Sequence, residues 1–150
     1  MDIPAGKAGH FQLYTHRSEL AFAKMHRPLL DQSHLSMNAL MILEVLDQNP
    51  KYHSPKELSR ILGLKSNVIY LHVDQLVTEG YLDRVTMESD RRKIALKCTR
   101  KAKALLKKAD AVRHEYSTRM LEGISSEDFE AYKRVIRTIE ANINTFLEES

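Results

Sequence analysis

The sequence predicts a mostly α-helical fold that contains one small β-hairpin. Three observations lead to this prediction: apolar residues recur at helical spacing over most of the chain, serine or threonine caps precede several of these stretches, and a single stretch changes to period-two alternation after a polar turn. The chain has 150 residues, of which 43% are hydrophobic and 29% charged, so we expect a globular protein with a real core.

The first two helices are predicted from apolar periodicity and from one cap. The first spans about 8–33, with Phe22 and Leu29 on its apolar side and a disturbance expected at Pro28, because proline removes a backbone donor. Ser36 is a favourable N-cap for the second helix, which is expected to end near Asn49.

The next two helices are short and follow each other closely. Ser54 with Glu57 three residues later forms a predicted capping box, and Gly63 is expected to end this third helix. After a tight turn, a fourth helix runs from about Ser66 to Glu79. Its predicted core stripe is Ile69, Val73, Leu76 and Val77.

The hairpin comes after the fourth helix, and two long helices complete the chain. A strand over 82–86 and a second strand flank a polar turn; in the second strand Ile94, Leu96 and Cys98 alternate with Lys93, Ala95 and Lys97. Thr99 can cap a fifth helix, which Gly123 breaks. Ser125 opens a sixth helix with a long apolar stripe: Phe129, Tyr132, Val135, Ile136, Ile139, Ile143, Phe146 and Leu147.

This order predicts a winged helix-turn-helix domain over about 36–99, set between N- and C-terminal dimerisation helices at about 8–33 and 100–148. Two short helices around a glycine-containing turn, followed by a basic hairpin, are typical of that domain. The sixth-helix stripe is too long for a monomer of this size to cover, which indicates a homodimer. We expect a single domain over 1–150.

The charge distribution indicates a polyanionic partner. Residues 51–108 contain 14 Lys/Arg and 6 Asp/Glu, a net charge of +8, although the whole chain carries only +3. The stretch from Arg91 to Lys108 holds nine basic residues and no acidic one. Such a segment attracts nucleic acid, although a solvated helix face would show the same composition.

The fourth helix and the hairpin tip supply the candidate contacts to double-stranded DNA. Asn67 and Gln75 suit adenine edges, and Val68 or Leu71 suits a thymine methyl or, equally, extra core contacts. An arginine at the hairpin tip suits a narrow minor groove. The candidate DNA-binding residues are Ser54, Lys65, Ser66, Asn67, Val68, Tyr70, Leu71, Gln75, Asp90, Arg91, Arg92 and Lys93.

With these residues in view, the chain resembles the MarR family of transcriptional regulators. The resemblance runs from Leu58-Ser59-Arg60-Ile61-Leu62-Gly63-Leu64 through Val73-Asp74-Gln75-Leu76 and Gly80-Tyr81-Leu82 to Ser89-Asp90-Arg91-Arg92 and Thr99. Gly123-Ile124-Ser125 is also similar to the SlyA-like branch. Leu71, His72, Cys98 and Ala102 depart from the usual pattern, and Leu71 leaves the contacts to bases uncertain.

The resemblance implies a homodimer on a pseudo-palindromic operator, usually a repressor, with Arg92 in the minor groove and Asp90 as its partner. It also implies a small phenolic or aromatic effector between the dimer helices and the DNA-binding lobe, where Arg17 and Met41 are the candidate ligand-binding residues. A winged-helix module that binds another protein is the alternative, against which the basic hairpin argues.

Other sites have little support in the sequence. The single Cys98 is expected to be a buried, inert thiol rather than a redox switch, and a lone cysteine fits a reducing, cytoplasmic environment. The seven histidines form no metal-binding motif, and neither a nucleophile–base pair nor a phosphate loop occurs. We therefore expect no metal, no cofactor and no enzymatic activity, and no apolar run is long enough for a membrane span.

Overall fold

The computed structural model of the protein describes residues 7–49 and 54–149, with the side chains of the first helix described from Tyr14 onward. Its elements are, in order, α1 (Lys7–Ser33), α2 (Met37–Gln48), α3 (Pro55–Leu62), α4 (Ser66–Thr78), β1 (Leu82–Thr86), β2 (Ile94–Cys98), α5 (Arg100–Met120) and α6 (Ser126–Glu148). The described part of the chain is thus a winged-helix fold with six helices and one antiparallel hairpin, as predicted.

The chain divides into two compact units, Met1–Tyr116 and Ser117–Ser150, and the division falls inside α5. The first unit contains the helix-turn-helix and the hairpin. The second contains the end of α5 and all of α6. The single domain over 1–150, with its predicted dimerisation helices, stays a prediction.

Serine caps fix the start of three helices, as the sequence predicted. Ser36 and Ser125 each accept the backbone N–H three residues further on, at 3.1 Å, at the starts of α2 and α6. At α3 the capping box is complete: the Ser54 hydroxyl accepts the Glu57 N–H at 3.3 Å, and the Ser54 N–H donates to the Glu57 carboxylate at 3.0 Å. These bonds satisfy N–H groups that lack helical partners, so they determine where each helix begins.

Helix α1 does not end at Pro28, where the sequence predicted a disturbance, but continues through this residue to Ser33. A proline inside a helix leaves one carbonyl, here that of Lys24, without its usual donor. Pro28 and Lys24 are both exposed, so water can solvate that carbonyl. The helix therefore accommodates the proline on its outer side.

One hydrophobic core supports the helix-turn-helix. Its fully buried apolar side chains come from α2, α3, α4 and β1: Leu40, Ile42, Leu43, Leu58, Ile69, Val73, Leu76 and Leu82. The first half of α5 adds Ala102, Leu105, Leu106 and Ala109 to the same core. The predicted stripe of α4 thus holds this helix from one side and leaves its opposite side in solvent.

The hairpin has the predicted strands and a register that pairs Leu82 with Cys98 and Thr86 with Ile94. Leu96 is buried, but Ile94 is 56% exposed, so the predicted placement of Ile94 on the buried side is wrong. Ile94 lies at the distal end of a two-stranded sheet, beyond the reach of the core that covers Leu82. Alternation indicates which face a residue takes, but burial also requires a neighbouring element to cover that face.

Helix α6 carries the predicted apolar stripe, and none of its residues is buried. Large side chains along it are exposed, with Phe146 at 73%, Leu147 at 65% and Ile143 at 50%. Among the described residues, no helix is long and apolar enough to cross a membrane.

Candidate nucleic-acid interface

The turn between α3 and α4 is built by local hydrogen bonds that set the start of α4. Gly63 adopts the left-handed conformation with φ of 65°, which favours glycine, and ends α3. The Ser59 hydroxyl donates to the carbonyl of Leu64 at 2.6 Å, across the turn. Lys65 then stands at the N-cap of α4 without a side-chain cap bond. The first backbone N–H groups of α4 are therefore not occupied by a capping side chain.

The N-terminal half of α4 presents the predicted recognition side chains to solvent. Ser66, Asn67 and Tyr70 are exposed, and Leu71 is 68% exposed. Val68 is half-buried, so of the two apolar candidates Leu71 is free to contact a partner and Val68 partly packs inward. A helix held by its buried stripe, with polar residues at its exposed N-terminal end, has the geometry of a major-groove reader.

Gln75 lies one turn further along α4 and is already engaged within the helix. Its side-chain amide donates to the Glu79 carboxylate at 3.1 Å, and the residue is half-buried. Contact with a base edge would require this bond to break or to share its donor. His72, beside it, is half-buried as expected, and its Nδ1 is buried without a partner among the described residues.

Ser54 is a predicted DNA-binding residue at the start of α3, and the structure shows that its side-chain and backbone polar groups form the helix cap. Its hydroxyl accepts one N–H and donates to the Glu57 carboxylate at 2.9 Å, while its N–H donates to the same carboxylate. Pro55 has no N–H. The backbone N–H of exposed Lys56 is the remaining donor of this first turn.

The tip of the hairpin holds the basic side chains in the open. Arg91, Arg92 and Lys93 are all exposed, and the Arg92 side chain is 96% accessible. Asp90 accepts the backbone N–H of Arg92 at 3.1 Å, and its carboxylate lies 3.8 Å from the Arg92 Nε. The Lys93 N–H donates to the Asp90 carbonyl at 2.9 Å, which closes the turn. Asp90 thus shapes the turn that presents Arg92, and its role in DNA binding stays a prediction.

The sequence analysis missed two contacts, one between the hairpin and α4 and one between α5 and the segment that joins α4 to β1. Arg84 on β1 forms an ion pair with Asp74 on α4. Lys101 of α5 donates to the Glu79 carbonyl at 2.7 Å and lies 4.3 Å from the centre of the Tyr81 ring. Arg84 and Asp74 are ten residues apart across a turn, so no helical or strand periodicity relates them. Arg84 and buried Leu82 are two residues apart on β1, so their side chains lie on the same face of the hairpin. This spacing is the only sequence signal that could have placed Arg84 on the side of α4.

A third contact joins α2 to α5. Arg113 forms ion pairs with Glu44 on α2 and with Asp110 on its own helix. Burial raises the pKa of Glu44 above its ordinary value, although the positive charges of Arg113 and His26 act in the opposite direction. His26 is 0% exposed, and its Nδ1 lies 2.9 Å from the Phe22 carbonyl.

Cys98 is half-buried, and its thiol donates to the Leu43 carbonyl at 3.6 Å. Burial, with a smaller contribution from Asp47, raises the pKa of Cys98 to about 11. The thiol is therefore protonated at neutral pH, which agrees with the predicted structural role and opposes a redox role. Over the ranges 7–49 and 54–149, no three His, Cys, Asp or Glu side chains are grouped as metal ligands.

The two candidate effector residues lie on different helices. Arg17 is exposed on α1, and Met41 is half-buried on α2. Neither lines the cavity of about 280 Å³ between α1, Tyr81 and α5, or the cavity of about 370 Å³ between α2 and the hairpin. The structure brings the DNA-binding candidates onto exposed surfaces, but it gives the predicted effector residues no shared cavity among those described.

Comparison with known proteins finds a family model that matches the middle of the chain. The model of the MarR family matches residues 35–94, from the start of α2 to the start of β2, which contains the helix-turn-helix and the hairpin tip. Over these residues the chain is similar to MarR-family regulators. A MarR-type helix-turn-helix with its hairpin supports a DNA-binding regulator. Membership of the SlyA-like branch stays a prediction.

Solved structures share the fold of this chain along nearly its whole length. A MarR protein from Peptoclostridium difficile is 15% identical, with a TM-score of 0.79 over 100% of this chain and 97% of that one. A MarR-family regulator from Rhodococcus sp. RHA1 is 17% identical, with a TM-score of 0.71 over 91% and 97%. CouR from Rhodococcus jostii RHA1, solved bound to p-coumaroyl-CoA, is 19% identical, with a TM-score of 0.72 over 90% and 92%.

Proposed function

We propose that this chain is a sequence-specific regulator that binds double-stranded DNA as a homodimer and represses transcription from a pseudo-palindromic operator. The observation that carries the proposal is the exposed N-terminal half of α4, fixed to the core by its buried stripe, together with the exposed arginines of the hairpin tip. The first surface suits base edges in the major groove, and the second suits the negative potential of a narrow minor groove.

The site residues divide by the kind of contact that we propose. Asn67 and Leu71 contact base edges. Lys65, Ser66 and Tyr70 contact phosphates, which position the protein without selecting sequence. At the hairpin, Arg92 enters the minor groove, Asp90 shapes the turn behind it, and Arg91 and Lys93 contact the flanking backbone. Ser54 contributes by fixing the start of α3 beside the phosphates.

The homodimer is supported by the apolar stripe of α6. Its exposed large side chains, among them Val135, Ile143 and Phe146, form a surface of the kind that protein partners cover. A two-fold axis would present two copies of α4 to half-sites about one helical turn, or about 10 base pairs, apart. A dimer of this form occupies a promoter sequence and blocks polymerase.

We further propose that a small aromatic or phenolic effector modulates DNA affinity. Support comes from CouR, which shares the fold and was solved with p-coumaroyl-CoA. The effector would bind more tightly to a dimer conformation in which the distance between the two α4 helices no longer matches the half-sites of the operator. A coupling of about 1–3 kcal/mol changes DNA affinity by about 5- to 150-fold. Arg17 and Met41 stay candidates for this contact.

The decisive experiment is Arg92→Ala, measured on duplex DNA selected from genomic fragments. Loss of the minor-groove contact should weaken specific binding by about 1–3 kcal/mol. Arg27→Ala removes the same charge from an exposed position on α1 and should leave affinity nearly unchanged. Equal affinities for the Arg92 variant and the natural chain would refute the hairpin assignment. A salt-independent affinity would instead favour a protein-binding module.

A further inference from the structure

The ion pair between Asp74 on α4 and Arg84 on β1 lies where the hairpin leaves the hydrophobic core. Leu82, two residues before Arg84, is fully buried, and Leu96, the cross-strand partner of Arg84, is also buried. Nearer the tip, Ile94 is exposed. The core therefore holds the hairpin as far as the level of Arg84, and the rest of the hairpin extends beyond it.

The part of the hairpin beyond Arg84 is long enough for a small rotation to displace its tip by one base pair. Arg92 precedes Leu96 by four residues, which span about 13 Å in an extended chain. A rotation of about 15° at the level of Arg84 moves a tip at this distance by about 3.4 Å, the spacing of successive base pairs along a DNA strand. Since a two-stranded sheet alone is only marginally stable, contacts at its base determine its direction.

Asp74 joins the hairpin to the exposed side of α4 on which the proposed base contacts lie. It follows Asn67 by seven residues, or about two helical turns, so the two residues share one side of the helix. Both are exposed. A carboxylate on this side repels DNA phosphates unless a cation offsets its charge, and Arg84 supplies that cation. The ion pair therefore connects the hairpin to the same surface of α4 that faces DNA.

We propose that Arg84, held by Asp74, is a positioning residue that fixes the direction of the hairpin relative to α4. It thereby sets the separation on DNA between the bases that α4 contacts and the narrow minor groove that Arg92 enters, an inference that rests on the proposed function. Because A·T tracts narrow the minor groove, the protein selects operators by the position of such a tract as well as by the bases that α4 contacts.

The direction of the hairpin is measured in the full chain without DNA, from the residual dipolar couplings of backbone N–H groups. In the natural chain, a single alignment tensor should fit both α4 and the hairpin. In Arg84→Met, that tensor should still fit α4 but no longer the hairpin, whereas Arg27→Met, which removes an exposed arginine from α1, should leave both fits unchanged. Hairpin couplings that keep their natural values in Arg84→Met would overturn the inference, whether or not the chain binds DNA.

The separation on DNA is measured by selection from a pool of random duplexes. The natural chain should enrich sequences in which an A·T tract lies at one fixed distance from each half-site. Moving the tract by one base pair should weaken binding by about 5- to 150-fold, the effect of losing one specific arginine contact. Arg84→Met should bind the original and the shifted duplex nearly equally, whereas Arg27→Met should keep the natural preference. The ratio of the two affinities is the readout, because phosphate contacts common to both duplexes cancel in it.

A second variant covers the case in which Arg84→Met fails to fold. Asp74→Ala removes the same ion pair and should also lose the preference, and the exchanged pair, Asp74→Arg with Arg84→Asp, should restore it. Since both side chains are exposed, each single variant should lower Tm by no more than about 4 °C, too little to account for a lost preference. A preference that survives in both single variants, or enriched sequences without a tract at a fixed distance, would overturn the inference and leave the proposed function standing. A natural chain that enriches no common sequence would overturn the proposed function and this inference together.

Discussion

The capping box at the start of α3 offers a test that separates folding from DNA contact. Ser54→Ala removes the hydroxyl that accepts the Glu57 N–H at 3.3 Å and leaves that donor without a partner. Loss of an N-cap serine costs about 1 kcal/mol. For a chain of 150 residues, this loss lowers Tm by about 2–4 °C.

A matched variant at another cap supplies the control. Ser36→Ala removes an equivalent bond, in which the Ser36 hydroxyl accepts the Ala39 N–H at 3.1 Å, from the start of α2. We expect the two alanine variants to lose similar stability in urea unfolding at one fixed protein concentration, since the stability of a dimer depends on concentration. If Ser54→Ala unfolds at the same urea concentration as the natural chain, the capping box contributes nothing measurable to stability.

A charged variant then tests the contact with phosphate. Ser54→Asp keeps an N-cap acceptor but adds a negative charge where we propose that the DNA backbone lies. The dependence of log affinity on log salt should become shallower by about one. The neutral Ser36→Ala variant should keep the natural slope. An unchanged slope and affinity for Ser54→Asp would show that the start of α3 lies away from the phosphates.

Three further outcomes follow from the described contacts. Ile143→Asp places a charge on the apolar stripe of α6 and should convert the proposed dimer into a monomer, measured by light scattering at about 10 μM. The control variant Asn144→Asp should stay dimeric at the same concentration. If the Ile143 variant is also dimeric, the proposed interface is refuted. Burial raises the pKa of Glu44, so the ionised carboxylate destabilises the folded protein above that pKa, and this destabilisation disappears as the pH falls. Glu44→Gln should therefore raise Tm at pH 7 more than at pH 4. The opposite trend would show that the ion pair with Arg113 outweighs the effect of burial. The pKa of the Cys98 thiol is about 11 against an ordinary 9.0, so the fraction of reactive thiolate at pH 7.5 is about a hundredfold smaller. Cys98 should therefore react with iodoacetamide about a hundredfold more slowly than a free thiol. A rate equal to that of glutathione would contradict the burial of Cys98.

The sequence determined the elements and their order, because the signals that set them are local. Serine caps, glycine stops and apolar periodicity act within a few residues, so Ser36, Ser54 and Ser125 could be identified without knowledge of any distant contact. The exposed positions Tyr70 and Leu71 on α4 followed from the same periodicity, since they fall on the side of the helix opposite to buried Ile69 and Val73. The exposed arginines of the hairpin followed from the polar turn between two strands.

The tertiary structure decided what depends on neighbours distant along the chain. The exposure of Ile94, the continuity of α1 through Pro28 and the bond that occupies Gln75 each depend on whether another group covers, solvates or binds the residue. The ion pairs of Arg84 with Asp74 and of Arg113 with Glu44, and the cavity between α2 and the hairpin, arise where elements meet in space. Local sequence signals fix the conformation of a segment, but burial, pairing and cavities depend on the packing of segments against each other.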